Sequence, residues 1–163
     1  MPVSQIIQAS LASGVPSSIA RSALPAGSVL QVVQGTATAP VITTSTTYVT
    51  TGLSVSITPT SASSRILVIS TACIRKANTN VLGPSVAIFR DSTAVYQGVL
   101  NQFYMTVSSG DPSGVVTLNY VDSPSTTSAI TYSLRFKTLT ASNTVVSLPD
   151  SETGTIIAME IAG

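Results

Sequence analysis

Residues 52–74 read GLSVSITPTSASSRILVISTACI and contain two different predicted β-strands. In the first strand, Leu53, Val55 and Ile57 alternate with small polar residues, which predicts one buried face and one solvated face. The second strand, Ile66 to Ile74, is apolar on both faces, as expected for a strand buried between two layers. The connecting residues, PTSASS, have the composition of a turn. This stretch therefore predicts a layered β-fold.

Strand-like runs recur at regular spacing through the rest of the chain, separated by turn sequences such as GDPSG and DSPSTTS. In the clearest of these runs, polar residues alternate with four apolar residues that we expect to face the core: Ile130, Tyr132, Leu134 and Phe136. We predict eight to ten short strands in an all-β fold over residues 28–163, namely an antiparallel, jelly-roll-like β-sandwich.

Residues 1–27 differ from the rest of the chain and predict a short helical N-terminal arm. Ser4 is a suitable N-cap, Gly14 is a suitable helix stop, and Pro16 suits the start of a second short helix. Neither helix is long enough to be stable alone in water, so the arm needs a surface. It either packs on its own domain or docks on a neighbouring subunit or a larger scaffold. We favour docking, with six contact residues: Ile6, Ile7, Leu11, Ile19, Arg21 and Leu24.

Charged residues make up only 8 % of the chain, whereas about 25 % is usual for a soluble domain. The 26 Ser and 23 Thr residues replace them. A free monomer normally depends on denser surface charge for its solubility. Either hydroxyl groups provide most of the solvation or much of the surface contacts other protein, and we favour a mixture of the two. The second component predicts obligate assembly.

The seven basic and six acidic residues are unevenly distributed. Residues 1–90 carry five of the basic residues and no acidic one, and residues 91–163 carry two basic and six acidic residues. The two halves can pair within one fold or between subunits, and both arrangements remain open. The net charge of +1 and the sparse basic residues predict neither nucleic acid nor an anionic membrane as a partner.

The longest strongly apolar run, Ile66 to Ile74, is too short to span a bilayer. The first residues lack the basic region of a signal peptide. We therefore predict synthesis in a reducing cytoplasm, where Cys73 is a buried free thiol. A single cysteine also excludes a disulfide within the chain.

The absence of histidine excludes a Ser-His-Asp triad, a Cys-His pair and a histidine-ligated metal. Asp150 and Glu152 form the best carboxylate pair, but any surface loop with two acids can reach the separation of a glycosidase pair. We expect Asp111 and Asp122 to be turn residues. We expect Glu160 to be partly buried and paired with an arginine. The sequence therefore predicts no enzyme, no metal site and no cofactor.

Four stretches within residues 24–163 carry a resemblance to a known family: LPAGSVLQVVQ, GLSVSITPTSASSRILVIS, YVDSPSTTSAITYSLRF and GTIIAMEIAG. They resemble a family of small virion proteins of tailed bacteriophages, similar to tail-fibre tips and to the knob or decoration proteins of phage heads. The resemblance implies a homotrimeric β-sandwich on the virion surface, made in the host cytoplasm, with no catalytic residues.

The chain departs from the fibre pattern because a Met and a 27-residue arm precede the β domain, in place of a long repetitive shaft. This difference favours a capsid decoration (cement) protein that stabilises the head by binding the major capsid protein through its arm. The alternative is a tail-fibre or tail-tip protein that binds a host surface receptor. For that role, residues 78–84 and 108–114 are the candidate receptor loops.

Overall fold

The computed structural model describes residues 24–77, 83–98, 111–141 and 143–163. These ranges contain one turn of 3-10 helix (Pro149–Ser151), no α-helix and ten β-strands, so the prediction of a nearly all-β chain is confirmed. The strands are β1 (Val29–Ala37), β2 (Val41–Thr43), β3 (Val49–Ile57), β4 (Arg65–Lys76), β5 (Ser85–Arg90), β6 (Thr93–Gln97), β7 (Ser113–Asp122), β8 (Ile130–Lys137), β9 (Val145–Ser147) and β10 (Gly154–Ile161).

The strands form two antiparallel sheets. Sheet A has the order β1–β10–β4–β9–β2, with β7 also paired to β4, and sheet B has the order β3–β8–β5–β6. Both β9 and β10 pair with β4, at residues 74–76 and 65–71 respectively. Likewise, β2 pairs with β9 as β1 pairs with β10. Sheet A is therefore four strands wide over most of its length, in the order β1, β10, β4, β7.

The inner faces of the two sheets share one hydrophobic core, a sandwich-like arrangement. Leu53, Val55 and Ile57 of β3 are buried there, as the alternation predicted. The four apolar residues of β8 are buried as well, which confirms the second alternation. Burial of these side chains, each of which contributes about 1.5–3 kcal/mol, drives the association of the two sheets.

Close contacts join the sheets along both sides of the sandwich. On one side, a Cβ atom at Gly35 in β1 would lie only 2.0 Å from the carbonyl oxygen of Ser54 in β3. Only glycine permits this approach of the two backbones. On the other side, the rings of Tyr96 in β6 and Tyr120 in β7 stack with their centroids 5.3 Å apart.

Asp122 is not the turn residue that the sequence predicted. It is the last residue of β7, is buried, and accepts hydrogen bonds of 2.7 Å from Arg90 Nη1 and from the Tyr132 hydroxyl. Burial, reinforced by the Asp122 carboxylate, raises the pKa of Tyr132 well above its usual value, so this hydroxyl remains a donor. The cluster links sheet A to β5 and β8 of sheet B.

Glu160 is also buried, but its partners differ from the predicted arginine. Its carboxylate accepts hydrogen bonds from the Thr60 backbone N–H (2.6 Å), the Thr60 hydroxyl (2.7 Å) and Gln31 Nε2 (2.6 Å). Burial opposes ionisation, but these donors outweigh it and lower the pKa of Glu160. The carboxylate thus fixes the turn that follows β3 to sheet A.

Candidate interaction surface

The outward face of β4 is the main departure from the predicted fold. The sequence predicted burial of both faces, but only the inward residues of β4 are buried, and the outward residues remain partly exposed. Three of these outward residues are Leu67, Ile69 and Cys73. The described part of the chain provides sheet B on the inner side and no second layer on the outer side. An apolar face that its own fold does not cover is a candidate contact surface.

The strand register aligns the outward side chains of sheet A into three rows that cross all four strands, with neighbouring rows about 6.6 Å apart along the strands. The apolar row consists of Val32, Met159, Leu67 and Val121. The mixed row consists of Gln34, Ile157, Ile69 and Asn119. The threonine row consists of Thr36, Thr155, Thr71 and Thr117.

The three rows contain no charged residue. Val32 is 55 % exposed and Val121 is 44 % exposed, at the two ends of the apolar row. In the threonine row, the hydroxyls of Thr71 and Thr117 lie 3.1 Å apart and share a hydrogen bond. From the apolar row to the threonine row, the outward side chains therefore change from apolar to hydroxyl-bearing, and none of them is charged.

Beyond the threonine row, Cys73 lies opposite Val115, which is 69 % exposed, and a small polar corner lies next to this pair. Arg75 Nη1 forms an ion pair of 3.4 Å with Asp150, whose side chain is 81 % exposed. Cys73 is a free thiol, as predicted, but it is partly exposed rather than buried. Desolvation, together with the Glu152 carboxylate, raises the pKa of Cys73 to about 11. The thiol is therefore protonated at neutral pH and is a poor nucleophile.

The outward face of sheet B has different chemistry. The Arg135 guanidinium lies 4.4 Å from the centroid of the Phe89 ring, and Lys137 Nζ lies 4.7 Å from the centroid of the Tyr48 ring. The two rings contact each other edge to face with centroids 5.3 Å apart. Here the predicted alternation of β8 places its charged residues outward, so this face is polar and cationic.

Lys76, at the end of β4, is fully buried on the inward side. Among the described residues, its Nζ has no hydrogen-bond acceptor. Burial lowers the pKa of Lys76, because the charged form loses its hydration. An unpaired buried amine of this kind costs stability.

Of the six predicted arm contacts, the structure describes only Leu24. This residue is partly buried and lines a cavity of about 270 Å³ with Leu30, Thr60 and Ala162, among others, beside the C-terminal Gly163. The other five contacts, Ile6, Ile7, Leu11, Ile19 and Arg21, lie outside the described residues. Most of the two candidate receptor loops also lies outside them.

Sequence reasoning did not find the three rows. The apolar character of both faces of β4 was the available signal, and it was interpreted as burial within the fold. The rows themselves depend on which residues of β1, β10, β4 and β7 are paired, and that register is not visible in any one strand.

Within the described ranges, no three His, Cys, Asp or Glu side chains come together in a way that could hold a metal ion. The same ranges contain no helix of the length and apolarity needed to cross a bilayer. In comparisons with known proteins, no protein-family model matches the chain and no curated protein is detectably similar to it.

Proposed function

We propose that this chain is a structural protein of a bacteriophage virion that functions by assembling with copies of itself and with other virion proteins. The observation that carries the proposal is the outward face of sheet A, where the apolar row crosses four strands without a charge. An enzyme would need a cleft with reactive groups, whereas an assembly protein needs such an uncovered, uncharged face.

The energetics agree with assembly. Six apolar side chains occupy the apolar and mixed rows: Val32, Met159, Leu67, Val121, Ile157 and Ile69. Complete burial of such a side chain contributes about 1.5–3 kcal/mol, so further burial of partly exposed ones contributes about 1 kcal/mol each. Two contacting faces would then gain about 12 kcal/mol, which is comparable to the association cost of about 4–15 kcal/mol.

The more specific form of the proposal is a homotrimeric capsid decoration protein with a jelly-roll-like domain. Its helical arm, residues 1–27, binds the major capsid protein and stabilises the head. The resemblance of residues 24–163 to phage virion proteins supports this form, as does the apolar character of the arm.

Two measurements test the proposal. Sedimentation equilibrium of the purified chain at micromolar concentration is expected to give a trimer, and a stable monomer would overturn the assembly role. Removal of residues 1–23 is expected to leave the trimer intact but abolish its binding to phage heads that lack this protein. Undiminished binding of the truncated trimer would contradict the role of the arm.

A receptor-binding tail tip is the second candidate, and the outward face of sheet B favours it. Arg135 and Lys137 project there on aromatic supports, and such cations suit an anionic group on a host surface. Electron microscopy of virions labelled on this protein distinguishes the candidates. Label over the whole head, at tens to hundreds of copies, supports decoration, whereas label confined to the tail supports the receptor role.

A further inference from the structure

We infer that copies of this chain pack on each other through the outward face of sheet A, in parallel, with like rows in register around a threefold axis along the strands. The occupant of the face is thus a second copy of the same chain. The inference rests on the proposed self-assembly and adds to it the contact surface and the orientation of the copies.

The size of the face suits an interface between copies. Four strands about 4.8 Å apart and the side chains from the apolar row to Cys73 give a footprint of about 19 Å by about 26 Å, or about 500 Å². Apolar side chains occupy six of the twelve positions in the three rows, and threonines and amides occupy the other six. A trimer would bury three such footprints, a total of about 1,500 Å² shared among three contacts, and the corrugation of the side chains adds to it.

The sequence of rows along the strands decides the orientation. In a parallel arrangement, the apolar row of one copy meets the apolar row of the next, and the threonine rows meet each other. In an antiparallel arrangement centred on the mixed row, each apolar row meets a threonine row. The hydroxyls would then be buried against Val32, Met159, Leu67 and Val121, which accept no hydrogen bonds. Beyond the one bond between Thr71 and Thr117, the buried hydroxyls would lack partners, which is costly, so the matched rows favour the parallel arrangement.

The charged residues at the two ends of the face favour the antiparallel arrangement, but their contribution is smaller than that of the matched rows. An antiparallel arrangement would bring Arg65, beyond the apolar row, towards Asp150 and Glu152 of the other copy. All three of these residues are exposed, and Asp150 already pairs with Arg75 within its own chain. Exposed ion pairs contribute little because water and salt screen them.

The width of sheet A indicates three copies. Three faces about 19 Å wide enclose a triangular prism whose axis lies about 5.5 Å from each sheet, close to half of the usual 10 Å between packed sheets. The corners of the prism bring β7 of one copy beside β1 of the next. This would also cover β7, a ten-residue strand that among the described strands pairs only with β4 and whose one charged residue, Asp122, points inward.

Cysteine cross-linking of the full-length chain tests the inference. In a Cys73→Ser background, Leu67→Cys and Thr71→Cys are made separately and are also co-expressed as distinguishable copies. A short bismaleimide is expected to link each variant to itself and to form no links between positions 67 and 71, which lie about 13 Å apart along the strand. Ser54→Cys, on the outward face of sheet B, is the matched control and is expected to remain unlinked.

The outcomes separate this inference from the proposed function. Self-links at both positions in a trimeric protein support it. Links only between positions 67 and 71 indicate antiparallel packing and overturn it. A trimer without links at either position overturns the surface but leaves self-assembly intact. A monomer by sedimentation overturns the inference and the proposed self-assembly together. Circular dichroism of each variant, matched to that of the parent chain, shows that it is folded.

Discussion

The outward faces of the two sheets have opposite chemistry although both belong to one chain of very low charge. Sheet A presents three uncharged rows, whereas sheet B presents Arg135 and Lys137 above aromatic rings. In sheet B, β3 follows the alternation expected of a sheet with one face in water, whereas β5 is buried on both faces. In sheet A, β4 and β10 carry apolar residues on both faces, and the described part of the chain covers only one of them. Apolar side chains that no described element covers are the clearest indication of a partner in this part of the chain.

Within a single strand of sheet A, we expect the inward residues to determine the stability of the fold and the outward residues to determine assembly. Inward residues contact the core or the hydrogen-bonded clusters of Asp122 and Glu160, and the outward residues of sheet A lie beside one another in the rows. We therefore expect substitutions at adjacent positions, such as Asp122 and Val121 or Glu160 and Met159, to affect different properties.

Leu67→Asp is expected to have the largest effect, because it places a carboxylate in the apolar row of every copy. The like charges would meet without water around the axis, and we expect the dissociation constant of the assembly to rise at least about 100-fold, or about 2.7 kcal/mol. Sedimentation velocity measures this change. Ser54→Asp makes a similar change on the outward face of sheet B and should leave assembly intact. Equal loss of assembly in both variants would contradict the distinction between the faces.

Asp122→Asn is expected to destabilise the fold by about 2–4 kcal/mol. The substitution replaces the carboxylate that accepts hydrogen bonds from Arg90 and Tyr132 with a neutral amide. The guanidinium and the hydroxyl, which lie between the sheets, are then left with a weaker acceptor. Urea denaturation at a fixed concentration of protein measures the loss. Asp111→Asn, at an exposed position before β7, is the control and should change the free energy of unfolding by less than about 0.5 kcal/mol.

Glu160→Gln tests the second buried acid and its dependence on pH. The pKa of Glu160 is lowered in the folded state, so the ionised carboxylate stabilises the fold above its unfolded pKa of 4.5. This contribution is lost as the pH falls through the folded pKa. We expect the variant to lose about 2 kcal/mol at pH 7 and to show a flatter acid limb in thermal denaturation. An unchanged acid limb would mean that other groups set the acid sensitivity.

The sequence predicted the fold class well because each strand's alternation is a local property. The buried residues of β3 and β8 could be identified without knowing their partners. The two corrected acids depended on non-local packing. DSP resembles a turn, but β7 continues through Asp122 because it pairs with β4 as far as Ile66.

The candidate surface could not be predicted for the same reason. Its rows exist only because Leu67 lies opposite both Met159 and Val121. A shift of one residue in either ladder would turn the inward residues of the shifted strand outward and abolish the rows. Local sequence identified the apolar residues of β4, but the long-range pairing determines which of them remain uncovered.

Arg135→Gln is expected to have the smallest effect, and it tests the other side of the comparison. The substitution removes a cation from the Phe89 ring and a 2.7 Å hydrogen bond to the carbonyl oxygen of Asp91. Because the group is partly exposed, we expect a loss of at most about 1 kcal/mol of stability and no change in assembly. Thermal denaturation and sedimentation velocity measure the two quantities. If Arg135→Gln dissociates the assembly while Leu67→Asp does not, then sheet B, not sheet A, provides the contact between copies, and the uncharged rows require another partner.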